Sequence, residues 1–249
     1  MTRPIVIKLG GSILDNSENL IKKFLGKIVR YLNQRPAIIV HGGGPTINQY
    51  LKRLNVPVRF IQGLRYTDAE TLTVVRFVLN GLVNPRLTFL FNQLGRKAIG
   101  VSGEAGIVFA RRQRQLGYVG EPEKIEIDRL KKIQRLGLTP VISCLGRSAR
   151  GEVLNINADT LAQFIAESLF AEELVLFTDV SGVLDGCGRT IPVIYQKEIS
   201  ALIKRKIVTG GMIPKIRAAE KALRAGVKNI VIVSARYGFS PNKYTVIKK

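Results

Sequence analysis

Six short apolar runs recur along the chain, at residues 5–7, 37–40, 98–101, 141–143, 174–177 and 230–233, and most are separated by segments with helical periodicity. Runs this short and rich in Val and Ile suit strands buried on both faces. Strands alternating with helices argue for a mostly parallel sheet covered by helices on both sides. The clearest helical segment is 17–34. Leu20, Ile21, Phe24, Leu25, Ile28, Val29 and Leu32 fall on one face, and Lys22, Lys23, Lys27 and Arg30 on the other. Ser17-Glu18 makes a plausible helix start. Two stretches read as β-hairpins instead: 106–128, and 145–155 turning at Arg150-Gly151. No internal repeat or low-complexity linker divides the chain.

Composition narrows the chemistry. With 46% hydrophobic residues in 249, the chain can bury a sizeable core, so disorder is not its dominant state. No uncharged apolar run approaches the roughly 20 residues of a membrane helix, so no span is expected. Cys144 and Cys187 are the only cysteines and His41 the only histidine. A disulfide framework, a four-cysteine zinc site and multi-histidine metal sites are thereby excluded. Any Ser–His or Cys–His hydrolase would depend on His41 alone. Met1-Thr2-Arg3-Pro4 leads straight into the first apolar run without a signal-peptide pattern, so a reducing cytoplasm is the expected compartment. The net charge of +21 fits nucleic acid, an acidic partner or anionic ligand, or a merely solvated surface. The basic residues are spread, there is no Trp, and no nucleic-acid module is present, which favours the solvated surface.

In an open parallel sheet, ligands bind beyond the carboxyl ends of the strands, so the loops after the apolar runs are the places to look. After the first run comes Lys8-Leu9-Gly10-Gly11-Ser12, a cation beside bare backbone N–H groups at a helix start; it reads as a phosphate cradle or an ordinary tight turn. After the second comes His41-Gly42-Gly43-Gly44-Pro45. Three glycines in a row cost chain entropy and make sense where backbone approaches a ligand. His41 is better read as orienting this loop than as a base. Neither loop is a Walker A or dinucleotide fingerprint. Arg65, within Gly63-Leu64-Arg65-Tyr66-Thr67-Asp68, is either a solvated charge or a grip on a carboxylate. Asn155-Ile156-Asn157-Ala158-Asp159 leads into a helix over 160–169 and offers caps or an anion-holding set. Thr178-Asp179-Val180-Ser181-Gly182-Val183-Leu184 follows the fifth run. In Thr209-Gly210-Gly211-Met212-Ile213-Pro214-Lys215, Pro214 suits a first helical turn and Gly226 a helix stop. Lys215 opposes the helix dipole there, and an anionic ligand would supply the reason.

In order and spacing these motifs resemble the amino-acid kinase family over essentially the whole chain. The resemblance implies an α/β fold, an open three-layer αβα sandwich with a mainly parallel central sheet. It implies an N-terminal lobe (1–170) for amino-acid substrate and dimerisation, and a C-terminal lobe (171–249) for ATP. The implied reaction carries the γ-phosphoryl of ATP with Mg²⁺ to the side-chain carboxylate of N-acetyl-L-glutamate, the second step of arginine biosynthesis, in a cytoplasmic homodimer. By the family pattern Lys8 and Lys215 stabilise the phosphoryl group in flight and Asp159 organises both lysines. Gly11, Gly43 and Gly44 supply backbone donors, and Arg65 and Asn155 hold the substrate's α-carboxylate. Asp179, Val180, Ser181, Gly182, Val183 and Leu184 line the nucleotide site with Ile207, Val208 and Thr209. No protein metal ligands are implied, since Mg²⁺ arrives on ATP. A carboxylate nucleophile is ionised at neutral pH (side-chain pKa about 4), so one histidine suffices.

The chain also departs from the family. Ala105 in Ser102-Gly103-Glu104-Ala105-Gly106 replaces the usual aspartate, and the stretch after Val233 is short and basic. No additional helix precedes the first strand, which points to the arginine-insensitive dimeric type, with dimer contacts expected at 71–82 and 87–94. The enzymatic alternative is a kinase for aminoadipate or glutamate attached to an acidic amino-group carrier protein. The remote one is a non-catalytic basic binding protein on the same fold.

Overall fold

All six apolar runs form strands in the computed structural model, each one or two residues longer than its run. The structure describes every residue except Met1, Asp15, Asn16, Asp179, Val180, Ser181, Gly210, Gly211 and Pro241, and the side chains of all the rest except Ser12, Leu14 and Pro214. In chain order the elements begin with β1 (Ile5–Leu9), α1 (Gly11–Leu14), α2 (Glu18–Leu32), β2 (Ala37–His41), α3 (Gly44–Arg53), and the short pair β3 (Phe60–Ile61) and β4 (Leu64–Arg65). Next come α4 (Ala69–Arg76), a π-helical segment (Phe77–Val83), α5 (Asn84–Gln93), β5 (Ala98–Ser102), β6 (Val108–Gln113), β7 (Val119–Ile125) and α6 (Ile127–Arg135). The centre continues with β8 (Thr139–Ser143), β9 (Leu145–Arg147), β10 (Val153–Ile156) and α7 (Ala158–Ser168). The last third holds β11 (Glu173–Thr178), β12 (Val193–Tyr195), α8 (Ile199–Lys204), α9 (Met212–Arg224), β13 (Asn229–Ser234) and β14 (Tyr244–Lys248).

The main sheet has eight strands in the order β12-β14-β13-β11-β1-β2-β8-β5. From β13 to β5 every pairing is parallel; β14 runs antiparallel to β13, and β12 parallel to β14. Strands β1 and β2 are almost wholly buried, as continuous apolar runs require. Right-handed crossovers put α2 and α5 on one face and α6, α7 and α9 on the other, and the packing of α2 on α5 and of α7 on α9 follows from it. The mostly parallel sheet clothed on both sides is therefore the expected sandwich.

Both hairpins form, β6–β7 and β9–β10. They also close on each other, β10 pairing parallel with β7 and β6 touching β9 at Phe109↔Arg147, to make a four-stranded barrel. Strand β14 and the edge strand β12 are additions to the expected set.

One helix has membrane length, although it contains no uncharged apolar run of that length. The two stretches 71–82 and 87–94 merge through the π-helical segment into one 25-residue helix, Ala69–Gln93, long and apolar enough to cross a bilayer. Half of its most apolar window is buried. Val74, Val75, Val78, Leu79, Leu87, Leu90 and Phe91 enter the core, while Glu70, Arg76 and Arg86 interrupt its length. That distribution is the one a core helix shows.

Candidate active site

The carboxyl ends of the parallel strands share one edge, and a cleft of about 230 Å³ opens there between β1, the glycine loop after β2, the β3–β4 hairpin and the barrel. Lys8, one residue before the end of β1, is held in register between Val40 and Leu176. Its side chain is 14% exposed, and Nζ lies 3.1 Å from Asp159 Oδ1. Asp159 sits in the first turn of α7, where the helix dipole favours a carboxylate. That turn is fixed by Asn157, whose Oδ1 accepts hydrogen bonds from the Asp159 and Thr160 backbone N–H groups. The two asparagines thus divide the roles considered for them. Asn157 caps the helix, while Asn155, on β10, lines the cleft and donates to Thr67 Oγ1 at 3.1 Å. The buried Thr67 hydroxyl donates in turn to the Arg65 carbonyl at 3.0 Å, tying the barrel to the hairpin.

Arg65, at the end of β4, is 9% exposed. Nη2 donates to Asn48 Oδ1 at 2.6 Å and to the Gly44 carbonyl at 3.3 Å, and the guanidinium carbon lies 4.9 Å from the Phe60 ring centroid. Nη1 is buried without a hydrogen-bond partner among the described residues. Burial draws its pKa below the ordinary arginine value. A buried guanidinium with a spare donor on a cleft wall is a ready receptor for a carboxylate.

Gly11 lies where the two glycine loops meet: a Cβ there would stand 2.3 Å from Pro45 Cδ and 3.0 Å from the Gly44 nitrogen. At Gly44 a Cβ would meet nothing within 4 Å, so this residue leaves room in the cleft. Gly43 is the N-cap of α3.

His41 orients the loop, as expected. It is fully buried; Nδ1 faces the Gly42 carbonyl at 3.1 Å and Nε2 the Asn84 amide nitrogen at 3.0 Å. A carbonyl only accepts and an amide nitrogen only donates, so the ring is neutral with its proton on Nδ1. Asn84 also donates to the Val141 carbonyl at 2.8 Å, joining helix, glycine loop and β8. Burial lowers the His41 pKa from 6.5 to about 4. Between these values the unfolded chain binds a proton that the native state refuses. The resulting stability, about 3 kcal/mol, is complete above about pH 6.5 and is lost as pH falls toward 4. Urea titrations at pH 7 and 4.5 should show the native protein losing more stability across that interval than His41→Gln; equal losses would contradict this environment.

Cys144 also borders the cleft. Burial pushes its thiol up to about 12, which keeps it protonated and non-nucleophilic. In the turn with Ala105, the carboxylate belongs to Glu104, one residue earlier. It is buried, 3.1 Å from Arg76 Nε, and accepts from the Asn80 amide at 2.9 Å. Among the described residues no three His, Cys, Asp or Glu side chains gather to hold a metal ion.

The remaining expected residues that the structure describes do not line this cleft. Lys215 is exposed on α9, whose start the βαβ connection from β11 to β13 places at the same sheet edge. Gly182 has φ +74°, a conformation favouring glycine, and a Cβ there would stand 2.6 Å from Thr245 Oγ1. Val183 is buried, its N–H donating to Thr245 Oγ1, and Leu184 is exposed. Val208 is buried, Ile207 half-buried and Thr209 exposed. Asp179, Val180 and Ser181 lie outside the described residues. Asn48, Phe60, Thr67 and Cys144 were not among the expected site residues. Phe60 and Cys144 line the cleft once the chain is folded, and Asn48 and Thr67 hydrogen-bond the lining residues Arg65 and Asn155.

An Endomicrobium trichonymphae protein named acetylglutamate kinase is 40% identical over 250 residues, covering 100% of both chains. Another of that name, from Methanopyrus kandleri, is 38% identical over 98% of this chain and 99% of its own. Among solved structures, smu.665 of Streptococcus mutans UA159 superposes with a TM-score of 0.80 at 33% identity, covering 98% of each chain. Residues 3–234 match the amino acid kinase family. On that match and those full-length relatives, the chain belongs to the amino acid kinase family.

Proposed function

We propose that the chain transfers the γ-phosphoryl group of ATP to the side-chain carboxylate of N-acetyl-L-glutamate, giving an acyl phosphate for arginine biosynthesis in the cytoplasm. The observation that carries this reading is the disposition of charge in the cleft. Lys8 stands in one wall and the buried Arg65, with Nη1 unpartnered, in another. Such a cleft suits an acid with two carboxylates. The fixed one sits on Arg65, beside Asn155, and the reacting one is directed toward Lys8.

The attacking carboxylate is ionised at neutral pH, so no residue has to remove a proton. The protein's task is to bring two anions together and balance the charge that spreads over the transferring phosphoryl oxygens. Lys8 does this from within the cleft and Lys215 from the start of α9. Asp159 keeps the Lys8 ammonium oriented before ligand arrives, and Gly11, Gly43 and Gly44 let backbone N–H groups approach the phosphates. Magnesium enters as a ligand of the nucleotide's phosphates and is part of that substrate. In this reading residues 1–170 hold the amino acid, and residues 171–249 hold ATP through the 179–184 and 207–209 loops. Exposed Phe77 and Phe89 on the long helix and Ile99 on edge strand β5 support a homodimer through that side; a monomer by light scattering would oppose it.

The test is an ATP-dependent assay with hydroxylamine, which traps acyl phosphates as hydroxamates, on N-acetylglutamate, glutamate, aspartate and aminoadipate. Product with N-acetylglutamate well above the other three is expected. Preference for aminoadipate, or no hydroxamate at all, would overturn the reading.

A further inference from the structure

The buried guanidinium of Arg65 has a single close partner, and that partner is uncharged. Asn48, half-buried on α3, accepts from Nη2 at 2.6 Å, while the only other acceptor among the described residues, the Gly44 carbonyl, is at 3.3 Å. Because arginine only donates, the asparagine must present its oxygen, which fixes the amide orientation. The Phe60 ring lies against the guanidinium, and Thr67 engages the Arg65 carbonyl, so main chain and side chain are held separately. The result is a guanidinium anchored by Nη2 with Nη1 buried and unpaired. A neutral anchor leaves the positive charge uncompensated for a ligand.

We propose that Asn48 is a positioning residue for substrate recognition: it aims Arg65 so that Nη1 meets the fixed carboxylate of the amino-acid substrate. This rests on the reading of Arg65 given above. Without the Asn48 oxygen, Nη2 keeps only the long bond to Gly44. The guanidinium can then turn along the Phe60 face, and the directional match to a carboxylate is lost. The effect belongs to substrate capture, because Asn48 bonds Arg65, which stands in a different wall of the cleft from Lys8.

Asn48→Leu should raise KM for N-acetylglutamate by roughly 10- to 100-fold, the usual range for a hydrogen bond to a charged group. kcat and KM for ATP should stay within about twofold of the parent. Asn48→Gln, which keeps a neutral acceptor oxygen, should return KM to within a few-fold. Asn48→Ala removes the same acceptor with less bulk and replaces the leucine variant if that one does not fold. Arg65→Ala, measured alongside, should raise KM at least as much as Asn48→Leu. An unchanged KM in Asn48→Leu or Asn48→Ala, beside a raised one in Arg65→Ala, overturns the role of Asn48 and leaves the site reading standing. Failure of Asn48→Gln to recover KM, or a parallel rise in KM for both substrates, also overturns it. No effect of Arg65→Ala would instead overturn the reading of the site.

Discussion

Lys8→Ala is expected to lower kcat by about 10²- to 10³-fold, the usual loss when a pre-placed charge stabiliser is removed from a reacting centre, while KM for the amino acid changes much less. The expectation follows from how little freedom this ammonium has. Its backbone is paired on both sides within the parallel sheet, its side chain is mostly buried, and Asp159 holds Nζ at 3.1 Å. The cation is therefore in place before the phosphoryl group develops charge, and no reorganisation is needed at the moment of transfer. Lys8→Arg should not rescue, because a planar fork cannot occupy the position of a compact ammonium. Lys215→Ala should fall in the same direction, from the other side of the transferring group. Steady-state hydroxamate kinetics measure both, and near-normal kcat in the two variants would remove the proposed mechanism.

Gly11→Ala should be nearly as damaging to kcat/KM, by about 10²-fold, although it adds only one methyl group. That carbon would stand 2.3 Å from Pro45 Cδ and 3.0 Å from the Gly44 nitrogen, so the loops after β1 and β2 would have to part. A displacement near 1 Å in a catalytic constellation carries a penalty of about this size. Gly186→Ala, with nothing within 4 Å of its added carbon, is the control and should leave the kinetics unchanged. Equal behaviour of the two variants would mean that the close approach of the glycine loops is not needed for activity.

The elements legible in the chain are those whose own residues determine them. β1, β2, β8, β11 and β13 are apolar runs that a two-sided sheet requires, β5 is an apolar run left largely exposed at the sheet's edge, and α2 displays its buried stripe without help from elsewhere. The neutral, orienting role of His41 was foreseeable because an acyl-phosphate-forming kinase does not need it as a base. Other features depend on distant partners. β12 buries only Ile194, and β14 ends in lysines, so neither stands out until β13 offers an edge. The stretches 71–82 and 87–94 read as separate elements. Instead the π-helical segment spans Asn80 and Gly81, and Pro85 falls in the first turn of α5, where its missing N–H is harmless. The union of Asn48 with Arg65 is a tertiary contact between a helix and a two-residue strand, and neither flank signals the other. Barrel closure is likewise a parallel pairing between separate hairpins.

That barrel gives the cleft two walls of different origin. Lys8, Gly11 and the glycine loop belong to the sheet edge, whose strands are locked between neighbours; Asn155 and Val119 belong to β10 and β7, whose strand partners lie within the barrel. On the proposed function the phosphates meet the sheet edge, so exchanging the barrel hairpins for others would alter the substrate's surroundings while that edge and Arg65 stay in place.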